Sequence, residues 1–413
     1  MDNKNIDAIV VGGGPCGSLA AWKLAKRGID VAVFEEHKEI GVPSHCAGHV
    51  SINGLERLGL RLPHKIIENE IYGAVFYSPS GLKFRIQRAS PVTRVLNREL
   101  FDKYLATLAE KAGAQYFTGS RVKSLLSKAK LVTGVSVGRK GAGETVASNL
   151  VIDAEGCSSR LLKEAGFHTL DRSMVVNAIQ VEVDKIDDVD KNMVEVYLGQ
   201  EYAPSFFAWI IPKNDGSAKV GLATRIGNAR DYLERFMHKH RVASRKLRRS
   251  KITGLSMHPI SLGGAIPKTY GNGLLVVGDA ASQVKSTTGG GIIFGLLCAR
   301  IAGEVAYEAF EKRDFSEKTL SRYESQWRKT VGFDLTMMLR LRKMLNRLSD
   351  DELDKIINMC TKLQLNTVLE KAGDADFMGR SLFRMLPNPA TLTVTLCFFF
   401  HSLVSNHQLK QQR

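Results

Sequence analysis

Short apolar runs and stretches of helical periodicity alternate over the first part of the chain. Ile6 to Val11 is apolar throughout, Ser18 to Arg27 carries alanines and leucines at helical spacing, and Asp30 to Phe34 is a second apolar run. This order predicts strand, turn, helix, strand. A further apolar run, Gly273 to Val277, is followed by glycines at 289 to 291 that open a long helical pattern. Between these regions the pattern changes. Ile71 to Ile86 reads as two strands around Ser78-Pro79-Ser80-Gly81, and Val175 to Thr224 is rich in β-branched and aromatic residues, with period-two stretches such as Val194 to Leu198. From Val331 onward the periodicity is helical, with Leu339, Leu341, Met344, Leu345 and Leu348 set among basic residues. No internal repeat is evident.

The length of 413 residues and a hydrophobic content of 44% allow a large core and two or three domains, and make disorder an unsuitable description. The formal net charge is +16. Much of it is clustered, from Arg230 to Lys251 and again at Arg340, Arg342, Lys343 and Arg347, which predicts two basic surfaces. No aromatic residues interleave with these clusters in the manner of a nucleic-acid module, so lipid headgroups or solvent suit them better. The six cysteines are widely spaced, with no Cys-x-x-Cys pair and no histidine at ligand spacing, so neither a zinc site nor an iron–sulfur cluster is predicted. The first residues lack the features of a secretory signal, which predicts a cytoplasmic location. Leu392 to Val404 is the longest apolar run, interrupted by threonines and His401. It is too short to span a bilayer and reads equally as a buried helix or an interfacial anchor.

The chemistry begins at Gly12-Gly13-Gly14-Pro15-Cys16-Gly17, between the first strand and the first helix. Gly12 permits a tight turn, Gly14 lets the backbone approach a pyrophosphate, and Gly17 allows close helix packing. The diphosphate then meets amides at a helix N-terminus, which Pro15 opens. Glu35, at the end of the second strand, is placed to accept from ribose hydroxyls. Near residue 278, Gly278-Asp279-Ala280-Ala281 forms a second small-residue turn, where Asp279 can accept from a ribityl hydroxyl. Gly289 to Gly291, followed by Ile292, lie where helix-start amides could stabilise a negative charge.

These two turns, together with Val95-Leu96-Asn97-Arg98-Glu99-Leu100-Phe101-Asp102 and Asp153-Ala154-Glu155-Gly156, resemble the FAD-binding fold shared by the para-hydroxybenzoate hydroxylase group and the geranylgeranyl reductase family. The similarity covers roughly positions 5 to 330. It implies an α/β chain, α+β overall. A Rossmann-like FAD-binding domain is assembled from 1–70, 98–165 and 255–330. An inserted antiparallel β-sheet substrate domain takes 71–97 and 166–254, and a C-terminal helical region takes 331–413. FAD is the implied cofactor, with Arg98, Ala47 and Val122 joining Gly12, Gly14, Pro15, Gly17, Glu35, Asp279, Gly289, Gly291 and Ile292 around it. The chain departs from the hydroxylase pattern at Glu155, where that group has aspartate. Glu155 therefore reads either as a weakened nicotinamide contact or as the cap of the following helix.

Two segments choose among the reactions this fold supports. Gly41-Val42-Pro43-Ser44-His45-Cys46-Ala47-Gly48 is similar to the cysteine-containing loop beside the flavin in geranylgeranyl reductases. Phe206 to Lys213 is similar to their Tyr-x-Trp-x-Phe-Pro-Lys signature, with Phe207 for tyrosine and Ile211 for phenylalanine. A strand alternating Phe207, Trp209 and Ile211 directs three large apolar groups to one face, which can wall an apolar channel or pack on a core. Phe207, Trp209, Pro212 and Lys213 are the substrate-binding candidates. The implied activity is reduction of geranylgeranyl carbon–carbon double bonds in membrane-lipid precursors, by hydride from reduced flavin N5 plus a proton. Cys46, His45 or a bound water supplies that proton. The implied partners are a prenylated lipid, an external electron donor (ferredoxin or a reduced nicotinamide) and the inner face of an anionic membrane. The alternative on the same scaffold is an NAD(P)H-dependent monooxygenase acting on an aromatic or quinone-like substrate.

Overall fold

The computed structural model describes residues 6–139, 142–164, 166–372 and 374–411. It divides into two compact units, the first made of Met1–Ser44, Asn97–Ser173 and Ser261–Leu335, the second of His45–Leu96, Met174–Ile260 and Thr336–Arg413.

The first unit is built on a largely parallel sheet. Its strands lie in the order Tyr270–Gly271, Leu274–Val276, Ala142–Asp153, Ile6–Val11, Val31–Phe34 and Gln115–Phe117. Ala8, Ile9 and Val10 are fully buried, as the central strand of a sheet covered on both faces requires. The helix Pro15–Ala25 packs between Arg98–Lys111 and Ile292–Lys312. Register decides where chemistry can occur: Val11 lies beside Phe34 and Asp153, and Asp153 beside Val276. The carboxyl ends of four strands therefore finish level. The loops that follow them converge on the crevice where doubly wound sheets bind ligands.

The second unit carries a seven-stranded sheet in the order Ile252–Ser261, Val175–Val183, Ala218–Thr224, Ala208–Pro212, Met193–Tyr197, Gly73–Tyr77 and Lys83–Gln87. The pairings follow the antiparallel pattern that period two suggests, with one exception. Met193–Tyr197 runs parallel to Gly73–Tyr77, because no hairpin joins these distant segments. One sheet face packs Val75, Ile179, Val181, Ala208, Ile210 and Val220 against Leu233 and Phe236 of the helix Ala229–Lys239. The other face holds Ile71, Val95, Val194 and Ile211, with Ala47 and Trp209 partly buried beside them. Helices follow from Asp350, the first opened by a capping box of Ser349 and Glu352. Ile357, Cys360, Leu365 and Val394 from these helices cover Phe84 at the sheet edge. Among the described residues no helix is long and apolar enough to cross a membrane.

Two residues of the basic clusters are not on a surface. Lys246 is buried against Glu195 and the Tyr77 hydroxyl, and Arg342 is 3% exposed with its guanidinium 4.7 Å from the Phe206 ring. Burial pushes the Arg342 pKa down to about 10. A charge count along the sequence cannot see this, since each inward turn depends on a partner far away in the chain.

Candidate functional site

Steric clearance fixes the glycine turn. Gly12 adopts φ +98°, and a Cβ there would sit 2.4 Å from the Ala154 carbonyl oxygen. A Cβ on Gly17 would lie 1.9 Å from the Gly12 carbonyl oxygen, so the helix can approach the turn only with glycine at this position. Gly14 differs, since a Cβ on it would meet no atom within 4 Å. Its small size leaves open space rather than relieving a protein contact. Gly14 is the N-cap of the helix that begins at Pro15, with no side chain accepting from the first amides. Those amides remain available to an anion.

Glu35 is 9% exposed and ties this turn to the neighbouring strand: one oxygen accepts from Gly13 N at 2.7 Å, the other from His37 N at 2.9 Å. His37 Nδ1 also lies 2.6 Å from the second oxygen, so of a carboxylate's about four acceptor directions one remains for a ribose hydroxyl, on the oxygen that holds Gly13 N. The glycines and Glu35 line a cleft together with Arg121 and Val122. Arg160 donates to the Val122 carbonyl and steadies that wall. Asp102 also lines the cleft and accepts two hydrogen bonds from Arg98 at 3.0 Å. Burial raises the Asp102 pKa against the opposing pull of Arg98. Glu155 accepts from Leu161 N at 2.8 Å and from Ser158 Oγ at 2.7 Å, and so caps the helix Arg160–Glu164. Asp153 beneath it is fully buried, and that burial, with the nearby Glu155 charge, raises its pKa.

The second turn meets the first through Cys16. A Cβ on Gly278 would lie 2.8 Å from Cys16 Sγ, and one on Gly295 2.6 Å from it. Asp279 faces the start of the helix Ile292–Lys312, where a Cβ on Gly291 would be 2.7 Å from Asp279 Oδ1. Gly289 has φ +71°, and Gly291 caps the helix without a side-chain acceptor. Sequence reading missed the scaffold under this turn: Gln283 accepts from Gly278 N at 2.9 Å and donates to Tyr323 Oη at 2.8 Å, and Tyr323 donates to the Val276 carbonyl at 2.9 Å.

In the second unit, Ala47 shares the apolar cluster of Trp209 and Ile211. The Trp209 indole lies across Gly221, where a Cβ would be 2.6 Å from the ring, and its Nε1 donates to Gln180 at 3.3 Å. Phe207 meets Trp209 edge-on at 6.0 Å and stacks on Phe206 at 4.2 Å. Pro212 ends the strand, its carbonyl accepting from Asn69 at 2.9 Å. Lys213 pairs with Glu68 at 3.3 Å and Glu182 at 3.2 Å, and these carboxylates outweigh burial to raise its pKa. His45 stacks on His258 at 5.2 Å, and Gly48 N donates to Cys46 Sγ at 3.4 Å.

The residue that organises this loop, Lys219, carries no sequence signal. It is 3% exposed, donates to the carbonyls of Ala47 at 3.2 Å and Leu96 at 3.0 Å, and pairs with Glu68 at 2.6 Å. A buried ammonium so partnered fixes the backbone next to Cys46. Gly221 could have been suspected, since glycine inside a strand often marks a close approach.

Comparison with known proteins identifies the family. Residues 5–296 match the FAD binding domain family. The digeranylgeranylglycerophospholipid reductase of Methanocaldococcus jannaschii is 36% identical over 357 residues, 86% of this chain and 90% of that one. Digeranylgeranylglycerophospholipid reductase 2 of Methanothermobacter thermautotrophicus is 37% identical over 370 residues, 88% and 93% of the two chains. Among solved structures, a geranylgeranyl bacteriochlorophyll reductase-like protein from Thermoplasma acidophilum superposes with a TM-score of 0.85 at 29% identity, covering 95% of this chain and 99% of that one. A flavin-dependent brominase, at TM-score 0.68 and 17% identity over 98% and 99% of the chains, shares the fold alone. The chain belongs to the digeranylgeranylglycerophospholipid reductase family of FAD-binding proteins.

Proposed function

We propose that this protein is an FAD-dependent reductase that saturates geranylgeranyl carbon–carbon double bonds in a membrane-lipid precursor. The observation that carries the reading is the joining of Ala47, next to Cys46, to the Trp209 and Ile211 wall in one apolar cluster. The shared identity with reductases of that lipid class supports the choice of substrate.

Gly12, Gly14, Pro15 and Gly17 would hold the FAD diphosphate, with Glu35 and Arg98 on its nucleotide half. Val122 and Ala47 are assigned to the cofactor as well. Asp279 would take the ribityl chain, and Gly289, Gly291 and Ile292 the ring end. The clearance at Gly14 and the helix start without a side-chain cap suit such an anion. When bound and reduced, FAD supplies the hydride.

The remaining work belongs to the chain. An isolated alkene is a poor hydride acceptor, so a proton must reach one carbon as hydride reaches the other. Cys46 and His45 are the assigned donors. Phe207, Trp209 and Pro212 would orient the prenyl chain and exclude water, and Lys213 would meet its polar end. Holding one double bond in place lowers the barrier by converting an encounter into an internal step. Electrons come from an external donor, ferredoxin or a reduced nicotinamide, and the lipid nature of the substrate favours peripheral contact with an anionic membrane.

The test is anaerobic incubation of the FAD-loaded protein with dithionite and a geranylgeranylated phospholipid, read by mass spectrometry. A gain of two hydrogens per reduced bond is expected. No gain across several prenyl substrates, with oxygen-dependent product formation instead, would replace this reading by a monooxygenase.

A further inference from the structure

The helix Pro389–Gln411 turns one side inward and presents an apolar side outward. Thr391, Val394 and Ser402 are buried on its inner side, Val394 against Ile357 and Leu365, and His401 lies 3.2 Å from Glu352. Outward it presents Leu392, Leu396, Phe399 and Phe400, which are 45%, 60%, 42% and 63% exposed. Their spacing of four, three and one places them in a single stripe. The preceding helix, Met378–Met385, adds Phe383 at 65% exposed. Scattered exposed leucines are ordinary on a soluble surface, whereas a continuous stripe of leucine and phenylalanine marks an interaction face.

Charge identifies what covers it. From Phe377 to Ser402 the sequence contains no Asp or Glu, but it does contain Arg380 and Arg384. Arg384 is exposed beside Phe383. A second copy of the chain would bring two positive rims together, while anionic headgroups complement them. No described helix can cross the bilayer, so the stripe suits a helix lying in the interface.

We propose that Met378–Met385 and Pro389–Gln411 dock on an anionic lipid bilayer, with Leu392, Leu396, Phe399 and Phe400 entering the boundary between headgroups and acyl chains and Arg384 meeting phosphates. The inference stands on this surface; the lipid-reductase reading explains only its use. Attachment is reversible and salt-sensitive, because it combines a shallow apolar contact with screened charge.

The experiment is flotation of the full-length FAD-loaded protein with phosphatidylcholine vesicles, with or without phosphatidylglycerol. Binding to the phosphatidylglycerol vesicles is expected, weakened severalfold at high salt. The Leu396→Glu, Phe400→Glu double variant should lose roughly tenfold or more in partitioning, and Arg384→Gln about fivefold. Circular dichroism, flavin content and turnover on detergent-dispersed substrate should match wild type in the double variant. Failure of wild type to turn over in detergent would remove the proposed reaction while leaving flotation intact, so the two ideas fail separately. Equal flotation of wild type and double variant would overturn the proposal, as would no preference for phosphatidylglycerol. A wild-type dimer that the double variant converts to monomer, without vesicle binding, would assign the face to a second copy.

Discussion

The two units set their candidate residues in place with different materials. In the first, the candidate residues are set mostly by backbone: Gly12 and Gly17 are fixed by clearances of 2.4 and 1.9 Å to carbonyl oxygens, and the helix starts at Pro15 and Ile292 lack side-chain caps. In the second, large side chains do the placing, with Trp209 over Gly221 and Lys219 beneath Ala47. Backbone sites dictate residue type at each position. Side-chain sites allow substitution as long as the partner remains, as Phe207 and Ile211 illustrate.

Substitutions should therefore separate the two. The largest effect on the cofactor is expected for Gly17→Ala, whose Cβ has no room beside the Gly12 carbonyl. FAD affinity should fall about a hundredfold or more, roughly 2.7 kcal/mol, measured by flavin fluorescence titration. Retained affinity would mean the turn does not grip the cofactor.

Next is Lys219→Met, which removes a buried ammonium from two carbonyls and Glu68. Breaking such a pair costs about 3 kcal/mol, seen as a lower urea midpoint. Cys46→Ala should then reduce turnover about tenfold or more while leaving FAD bound, the usual scale for a lost acid. Unchanged turnover would exclude the thiol from proton delivery. Trp209→Ala should show the smallest effect, a severalfold rise in KM that is larger for long prenyl chains than for short ones. Equal losses for both would make the indole a packing group only.

The same contrast explains what the sequence could disclose. The glycine turn, Glu35 and the Asp279 turn were legible because a tight φ or a close approach admits few residue types. Their strands were legible as continuous apolar runs. Trp209, Pro212 and Lys213 were singled out only through motif spacing. Lys219 was not, since its partner carbonyl at Ala47 lies 172 positions away. Long-range pairing also hid the parallel contact of Met193–Tyr197 with Gly73–Tyr77 and the inward turns of Lys246 and Arg342. Glu155 shows the reverse case: local spacing already allowed a helix cap, and the hydrogen bond to Leu161 N supplies it.

The most direct test of the central claim is optical. Protein loaded with FAD and photoreduced without oxygen is mixed anaerobically with a geranylgeranylated phospholipid, and the oxidised-flavin absorbance is followed. The account predicts that the yellow colour returns in proportion to double bonds saturated. Flavin that stays reduced until oxygen is admitted, whatever prenyl lipid is present, would contradict it.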